Sequence, residues 1–268
     1  MTSLADIADD YDAFLLDAFG VLNIGETPIP GAPELVESLQ RTGKRVLVLT
    51  NGASYPAPVA LAKYSRLGFA FAPDDVIASR DALRMALVGR REELWGVMGP
   101  PNTDLAELGV SAKRLSDEPR IYAQADGFAF LGSEGWTWDH QERLIDALSK
   151  TPRPVLVGNP DIIAPRESGF TLEPGHFAHD IANRLGLTPE FYGKPFRNIY
   201  DLALSRLDGV ERTRTLMVGD TLHTDVLGGA AAGVHTALVR SFGLFAGQEV
   251  VTPIVKSGIV PNYVVENI

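Results

Sequence analysis

Short apolar, β-branched runs alternate along the chain with amphipathic stretches that begin at Pro, Ser or Asp and stop at Gly. This alternation restricts the available folds more than any other feature. Repeated strand–helix units of this kind predict an α/β protein with a doubly wound, mostly parallel sheet. AFLLD, ending at Asp17, reads as a buried strand, and PELVESLQRT as a helix with Pro33 in its first turn and Gly43 just past its end. RVLVLT, ending at Thr50, returns as the next strand. Further strands are expected in LWGVMG to Gly99, GFAFLG to Gly132, PVLVGN to Asn159, EFYG to Gly193, TLMVGD to Asp220 and HTALVR to Arg240.

Composition removes several classes of function. Net charge is −10 over 268 residues and no basic stripe is present, which argues against binding nucleic acid or an anionic membrane. Without cysteine there is no disulfide framework, thiolate metal site or sulfur nucleophile, so the chemistry falls to Asp, Glu, His, Lys, Ser and Thr. The acidic start, MTSLADIADDYDAF, lacks the basic and apolar regions of a secretion signal, and no apolar run could span a bilayer. A soluble cytoplasmic protein is expected.

In open parallel sheets ligands bind beyond the carboxyl ends of the strands, and four such ends carry reactive groups. Asp17 closes the first strand and is followed by Gly20, which permits a tight turn; a carboxylate there can be a nucleophile and metal ligand, or cap the turn. Thr50 and Asn51 leave the second strand where hydroxyl and amide could hold a phosphoryl group, although Thr-Asn-Gly is also an ordinary turn. Lys194, before Pro195, could neutralise carboxylates and a phosphate crowded together, although a lone lysine is usually a solvated surface group. Asp220 and Asp225, in GDTLHTD, are hard oxygen ligands suited to magnesium; the alternative is a turn residue and a helix cap.

The order of these groups decides between the readings. An Asp strand end, a Thr strand end, a Lys-Pro and a GDxxxxD, each after an apolar strand, resemble the four motifs of the haloacid dehalogenase-like hydrolases across nearly the whole chain. The resemblance implies that Asp17 attacks phosphorus, and that Thr50, Asn51 and Lys194 bind the transferring group. It further implies that magnesium is held by Asp17, the Phe19 backbone carbonyl, Asp220 and Asp225.

Spacing sorts the members of that family. Asp17 and Thr50 are 33 positions apart, about one βαβ unit, whereas Thr50 and Lys194 are 144 apart. The second interval has room for an inserted α/β domain of about 100 residues. This is similar to subclass IIA, the p-nitrophenyl phosphatase and sugar phosphatase group. The resemblance implies a Rossmann-like catalytic core at 1–78 plus 183–268 and a smaller α/β cap of the C2 type at 79–182. The stretch VGNPDIIAPRESGFTLEPGHFA resembles the return from cap to core, which adds Asn159 and Asp161 to the expected substrate-binding residues. A homodimer is a family-level expectation.

One position departs from the family. Its phosphatases carry a second Asp two residues after the nucleophile as acid and base, and here Phe19 stands there. Phenylalanine transfers no proton, and general acid–base catalysis is worth roughly 10²- to 10⁴-fold. DAFG also resembles the DAYG of haloacid dehalogenases, but those carry their cap between the first two motifs and lack the metal pair. The leading expectation is a magnesium-dependent hydrolase of a small phosphorylated metabolite working through an aspartyl-phosphate at Asp17. The alternatives are cleavage of an activated acyl phosphate or carbon–phosphorus bond, or a catalytically impaired binding protein. His223, between Asp220 and Asp225, is a candidate replacement acid. Trp136 and Trp138 are expected to pack, and His176 and His179, on a predicted cap helix, to be surface or packing residues rather than metal ligands.

Overall fold

The computed structural model describes residues 3–166 and 169–268, so Met1 and Thr2 of the acidic start and Glu167 and Ser168 of the NPD-containing stretch lie outside the described residues. The chain forms two compact units. One comprises residues 1–50, 57–77 and 194–268, the other residues 51–56 and 78–193.

The first unit is built on a six-stranded sheet. Its order is Tyr263–Val265, His235–Val239, Thr215–Gly219, Ala13–Leu16, Arg45–Thr50 and Val76–Ala78. Ala13–Leu16 pairs in parallel with both Thr215–Gly219 and Arg45–Thr50, Leu16 lying opposite Val218 on one side and Val48 on the other. Successive strands run outward in one direction from Ala13–Leu16 and, after the insertion, in the other from Thr215–Gly219. The order therefore reverses between two central strands, where open α/β sheets form their ligand crevice. Ala13–Leu16 and Thr215–Gly219 are buried at every position, as expected of central strands covered on both faces: Phe14, Leu16, Val46, Val48, Leu216 and Val218 join one large cluster with Val36 and Leu39 of the helix Ala32–Arg41. That helix has Pro33 in its first turn, and Gly43 follows it at φ +82°, as expected from the sequence.

The second unit has its own five-stranded sheet in the order Glu190–Phe191, Val155–Val157, Gly127–Phe130, Leu94–Met98 and Ser111–Arg114, all neighbours parallel. Phe128 and Phe130 face Leu144, Leu148, Phe177 and Ile181 on one side, while Ala129 and Leu131 face Leu83, Trp95 and Leu156 on the other. This period of two explains why GFAFL is apolar throughout. Trp136 packs against Phe130, His140 and Phe177, and His179 stacks on Phe191. No helix among the described residues is long and apolar enough to cross a membrane.

Candidate active site

Three reactive strand ends of the first unit lie side by side because their strands are neighbours. Asp220 follows Thr215–Gly219, Asp17 follows Ala13–Leu16, and Thr50 ends Arg45–Thr50. The Asp17 backbone N–H donates to the Val218 carbonyl at 2.9 Å, so the parallel ladder continues as far as the reactive residue and fixes its direction. The Ala18 N–H then donates to Asp17 Oδ1 at 2.7 Å. Beyond it the chain turns tightly: the N–H groups of Leu22 and Asn23 both donate to the Ala18 carbonyl, and Gly20 takes φ +77°. Phe19 is half-buried in this turn.

Lys194 brings the third motif to the same place. Its Nζ lies 2.7 Å from Asp17 Oδ1 and 2.7 Å from Asp225 Oδ1, and the side chain is buried. Asp17, Asp220 and Asp225 each present a carboxylate oxygen, and the three atoms lie within 4.8 Å of one another. Three carboxylates around one ammonium leave two negative charges in excess, which a divalent cation neutralises. Hard oxygen donors around such an excess fit a magnesium ion that keeps several waters.

The electrostatics follow from burial and crowding. Desolvation, followed by the nearby Asp17 charge, raises the Asp220 carboxyl to about 7. Desolvation also raises Asp225, to about 8, against the opposing pull of Lys194. Burial alone would discharge Lys194, but the carboxylates of Asp17 and Asp225 outweigh it and hold the ammonium above its ordinary range. Without a cation, burial and the crowding of like charge both favour the protonated forms of Asp220 and Asp225.

Asp225 belongs to a π-helical turn, Leu222–Val226, in which the Val226 N–H reaches back to the Thr221 carbonyl at 3.3 Å. Such turns are concentrated at functional sites. Asp225 Oδ2 accepts from the Thr221 N–H at 3.1 Å, and the buried Tyr200 hydroxyl donates to the carbonyls of Thr224 (3.1 Å) and Asp225 (3.3 Å). Gly219 completes the fit, since a β-carbon there would overlap the Asp225 carboxyl group. Tyr200, Thr221, Gly219 and the Gly243–Leu244 turn were not among the expected site residues. The VGD triplet carried a signal for Gly219; for Tyr200 there was none. His223 is exposed on the same turn.

The remaining expected residues gather in the second unit. Asn51 Nδ2 donates to Asp161 Oδ1 at 2.8 Å, and the Asp161 N–H donates to Asn159 Oδ1 at 3.0 Å. Asn159 Nδ2 in turn donates to the buried Glu173 at 3.3 Å, which also accepts from the Thr171 hydroxyl at 2.8 Å. Asn51, Asn159 and Asp161 thus form one polar network.

Comparison with known proteins agrees with this geometry. A family model described as haloacid dehalogenase-like hydrolase matches residues 14–110, and one described as HAD-hydrolase-like matches residues 191–268. A glycerol-3-phosphate phosphatase of Homo sapiens is 30% identical over 299 residues, spanning 97% of this chain and 89% of that protein. A possible sugar phosphatase of the HAD superfamily from Cytophaga hutchinsonii superposes with a TM-score of 0.88 at 27% identity, covering 100% of this chain and 97% of that one. A glycerol phosphate phosphatase of Mycobacterium tuberculosis, solved with magnesium, superposes with a TM-score of 0.77 at 26% identity, covering 100% of this chain and 77% of that one.

Proposed function

The chain belongs to the haloacid dehalogenase-like hydrolases, and from that membership we propose that it is a magnesium-dependent phosphatase of the subclass IIA type acting on a small phosphorylated metabolite through Asp17. The carrying observation is the buried cluster of Asp17, Lys194, Asp220 and Asp225 at the carboxyl ends of the central strands. In this reading the second unit is the cap that selects the substrate.

Asp17, Asp220 and Asp225, with the Phe19 carbonyl, would hold the magnesium ion, which supplies positive charge against the phosphoryl oxygens. Asp17 attacks phosphorus, the bond from phosphorus to the leaving oxygen breaks, and an aspartyl-phosphate forms. Water then attacks phosphorus, releasing inorganic phosphate and restoring the Asp17 carboxylate. The Lys194 ammonium, 2.7 Å from Asp17 Oδ1, and the Thr50 hydroxyl bind the oxygens of the transferring group. The Asn51, Asn159 and Asp161 network is assigned to substrate binding.

Phe19 favours a second, narrower reading. The position from which a leaving oxygen would receive its proton holds a hydrocarbon ring, so leaving groups that depart as stable anions, such as carboxylates or phenolates, suit this site better than alkoxides. The test of the main proposal is phosphate release from a panel of esters and acyl phosphates, by wild type and Asp17→Asn, with magnesium and with excess chelator. Turnover confined to the magnesium-loaded wild type supports it, as does formation of a beryllium fluoride adduct at Asp17. Full activity in chelator, or unchanged hydrolysis by Asp17→Asn, overturns it.

A further inference from the structure

The two carboxylate oxygens of Asp220 are engaged separately. Oδ1 accepts from the Thr221 hydroxyl at 2.9 Å, and Oδ2 accepts from the Leu244 backbone N–H at 2.8 Å. The second bond depends on two glycines from different loops. Gly243 follows the strand His235–Val239 and takes φ +76°; a β-carbon there would overlap Asp220 Oδ2 and lie 2.6 Å from Asp220 Cβ. Gly20, three residues after the nucleophile, takes φ +77°, and its β-carbon would lie 2.7 Å from the same oxygen and 2.8 Å from Gly243 Cα. Both positions need the left-handed backbone that glycine adopts freely, and both need the missing side chain.

The turn that delivers the amide is anchored from below. Phe245 is buried with Leu222, Val226, Leu238 and Val250, and Leu222 and Val226 are the ends of the π-helical turn that carries Asp225. Leu244 itself is 40% exposed, so its contribution is its N–H and not its side chain.

We propose that the Gly243–Leu244 turn, closed against Gly20, is a positioning element for Asp220. It fixes which lone pairs of the carboxylate face Asp17 and Asp225, and it thereby sets the affinity for the divalent cation. This rests on the metal-site reading above. A backbone N–H donating to a carboxylate is a strong, directional hydrogen bond, and partners that orient metal ligands typically contribute 10- to 100-fold in affinity.

Magnesium binding is measured calorimetrically, without substrate, for wild type, Gly243→Ala, Leu244→Pro and Gly247→Ala. The first variant adds the colliding β-carbon and the second deletes the donor. Gly247 is the control for backbone strain, since it takes φ +71° in the same loop with nothing within 4 Å of its would-be β-carbon. Gly243→Ala and Leu244→Pro are expected to weaken magnesium about 10- to 100-fold, with Gly247→Ala close to wild type. If neither of the first two folds, the backbone amide of Leu244 in leucine-labelled wild type provides the readout, and its resonance is expected to move on titration with magnesium. Wild-type affinity in folded Gly243→Ala, an equal loss in Gly247→Ala, or a Leu244 amide unmoved by saturating magnesium overturns the proposal. A wild type that binds no magnesium overturns the metal-site reading itself and the proposal with it.

Discussion

Lys194 Nζ stands 2.7 Å from Asp17 Oδ1, with the lysine buried and the aspartate opening toward solvent. The ammonium therefore meets the Asp17 carboxylate from the buried side, on the same oxygen that accepts from the Ala18 N–H. Asp225 shares the same ammonium at 2.7 Å, so Lys194 bridges two motifs whose aspartates are 208 residues apart in the chain.

Lys194→Met is accordingly expected to lose activity and stability together. Removing one donor to a transferring group costs about 10²- to 10³-fold in turnover, and breaking a buried pair costs roughly 3–5 kcal/mol because the partner charge is left uncompensated. The stability loss should shrink at pH 5, where the aspartates can protonate, and in the presence of magnesium. Urea unfolding at pH 5 and pH 8, with and without magnesium, checks this. A loss of equal size under all four conditions would mean that the lysine acts through packing and not through its charge.

A second expectation concerns pH. In the metal-free protein Asp220 is raised to about 7 and Asp225 to about 8, chiefly by desolvation, against 3.8 for an ordinary aspartate. The folded state then binds more protons than the unfolded chain above about pH 4. The stability these groups contribute is present in full below that pH and is lost as pH rises through 7 to 8. Magnesium must displace those protons, so its apparent affinity should rise with pH by up to about tenfold per unit below 7 for each proton released. Thermal unfolding in chelator from pH 5 to 8.5 should show a falling melting temperature that excess magnesium flattens. A melting temperature that does not fall over that range in chelator would show the aspartates already ionised at pH 5.

The candidate site was legible where a polar side chain closed a strongly apolar strand. AFLLD, RVLVLT and TLMVGD form three neighbouring strands, and Asp17, Thr50 and Asp220 stand at their ends. Strands without that signal were not read. Ser111–Arg114 is an edge strand with no buried residue, and the antiparallel pair Ile163–Arg166 and Gly169–Leu172 keeps Ile163, Phe170 and Leu172 exposed. Neither has the alternation that burial of one face imposes. Val76–Ala78 and Tyr263–Val265 are too short for periodicity to register. The Leu244 N–H lay beyond sequence reasoning for a different reason: any residue but proline has that group, and only the neighbouring glycine hints at its use.

Tyr200 lies 24 residues from Thr224 and reaches it only through the fold. Its hydroxyl holds the π-helical turn, and Gly228 leaves room for the ring, since a β-carbon there would come within 2.6 Å of the Tyr200 hydroxyl oxygen. Tyr200→Phe should cost about 1–3 kcal/mol in urea unfolding and weaken magnesium through Asp225, with the structure otherwise retained. Loss of stability with unchanged magnesium affinity would reduce the hydroxyl to a purely structural role.

Phe19 gives the sharpest test, because two residues after the proposed nucleophile Asp17 it puts a ring where related phosphatases carry a proton donor. Without a donor there, turnover should fall steeply as the pKa of the leaving group rises, since an alkoxide needs a proton that p-nitrophenolate or a carboxylate does not. Aryl and acyl phosphates should be cleaved well and alkyl phosphates poorly. Phe19→Asp should flatten that dependence and recover part of the roughly 10²- to 10⁴-fold at stake, or about 3–5.5 kcal/mol of barrier, provided the new carboxylate reaches the leaving oxygen. Phe19 is only half-buried, so the added charge remains partly solvated, and circular dichroism of the variant establishes the fold before rates are compared. The measurement is kcat/KM across a series of phosphate esters graded by leaving-group pKa, for both proteins. If the wild type hydrolyses alkyl phosphates as fast as aryl ones, another group supplies the proton. His223, exposed on the turn between Asp220 and Asp225, is then the residue to replace next.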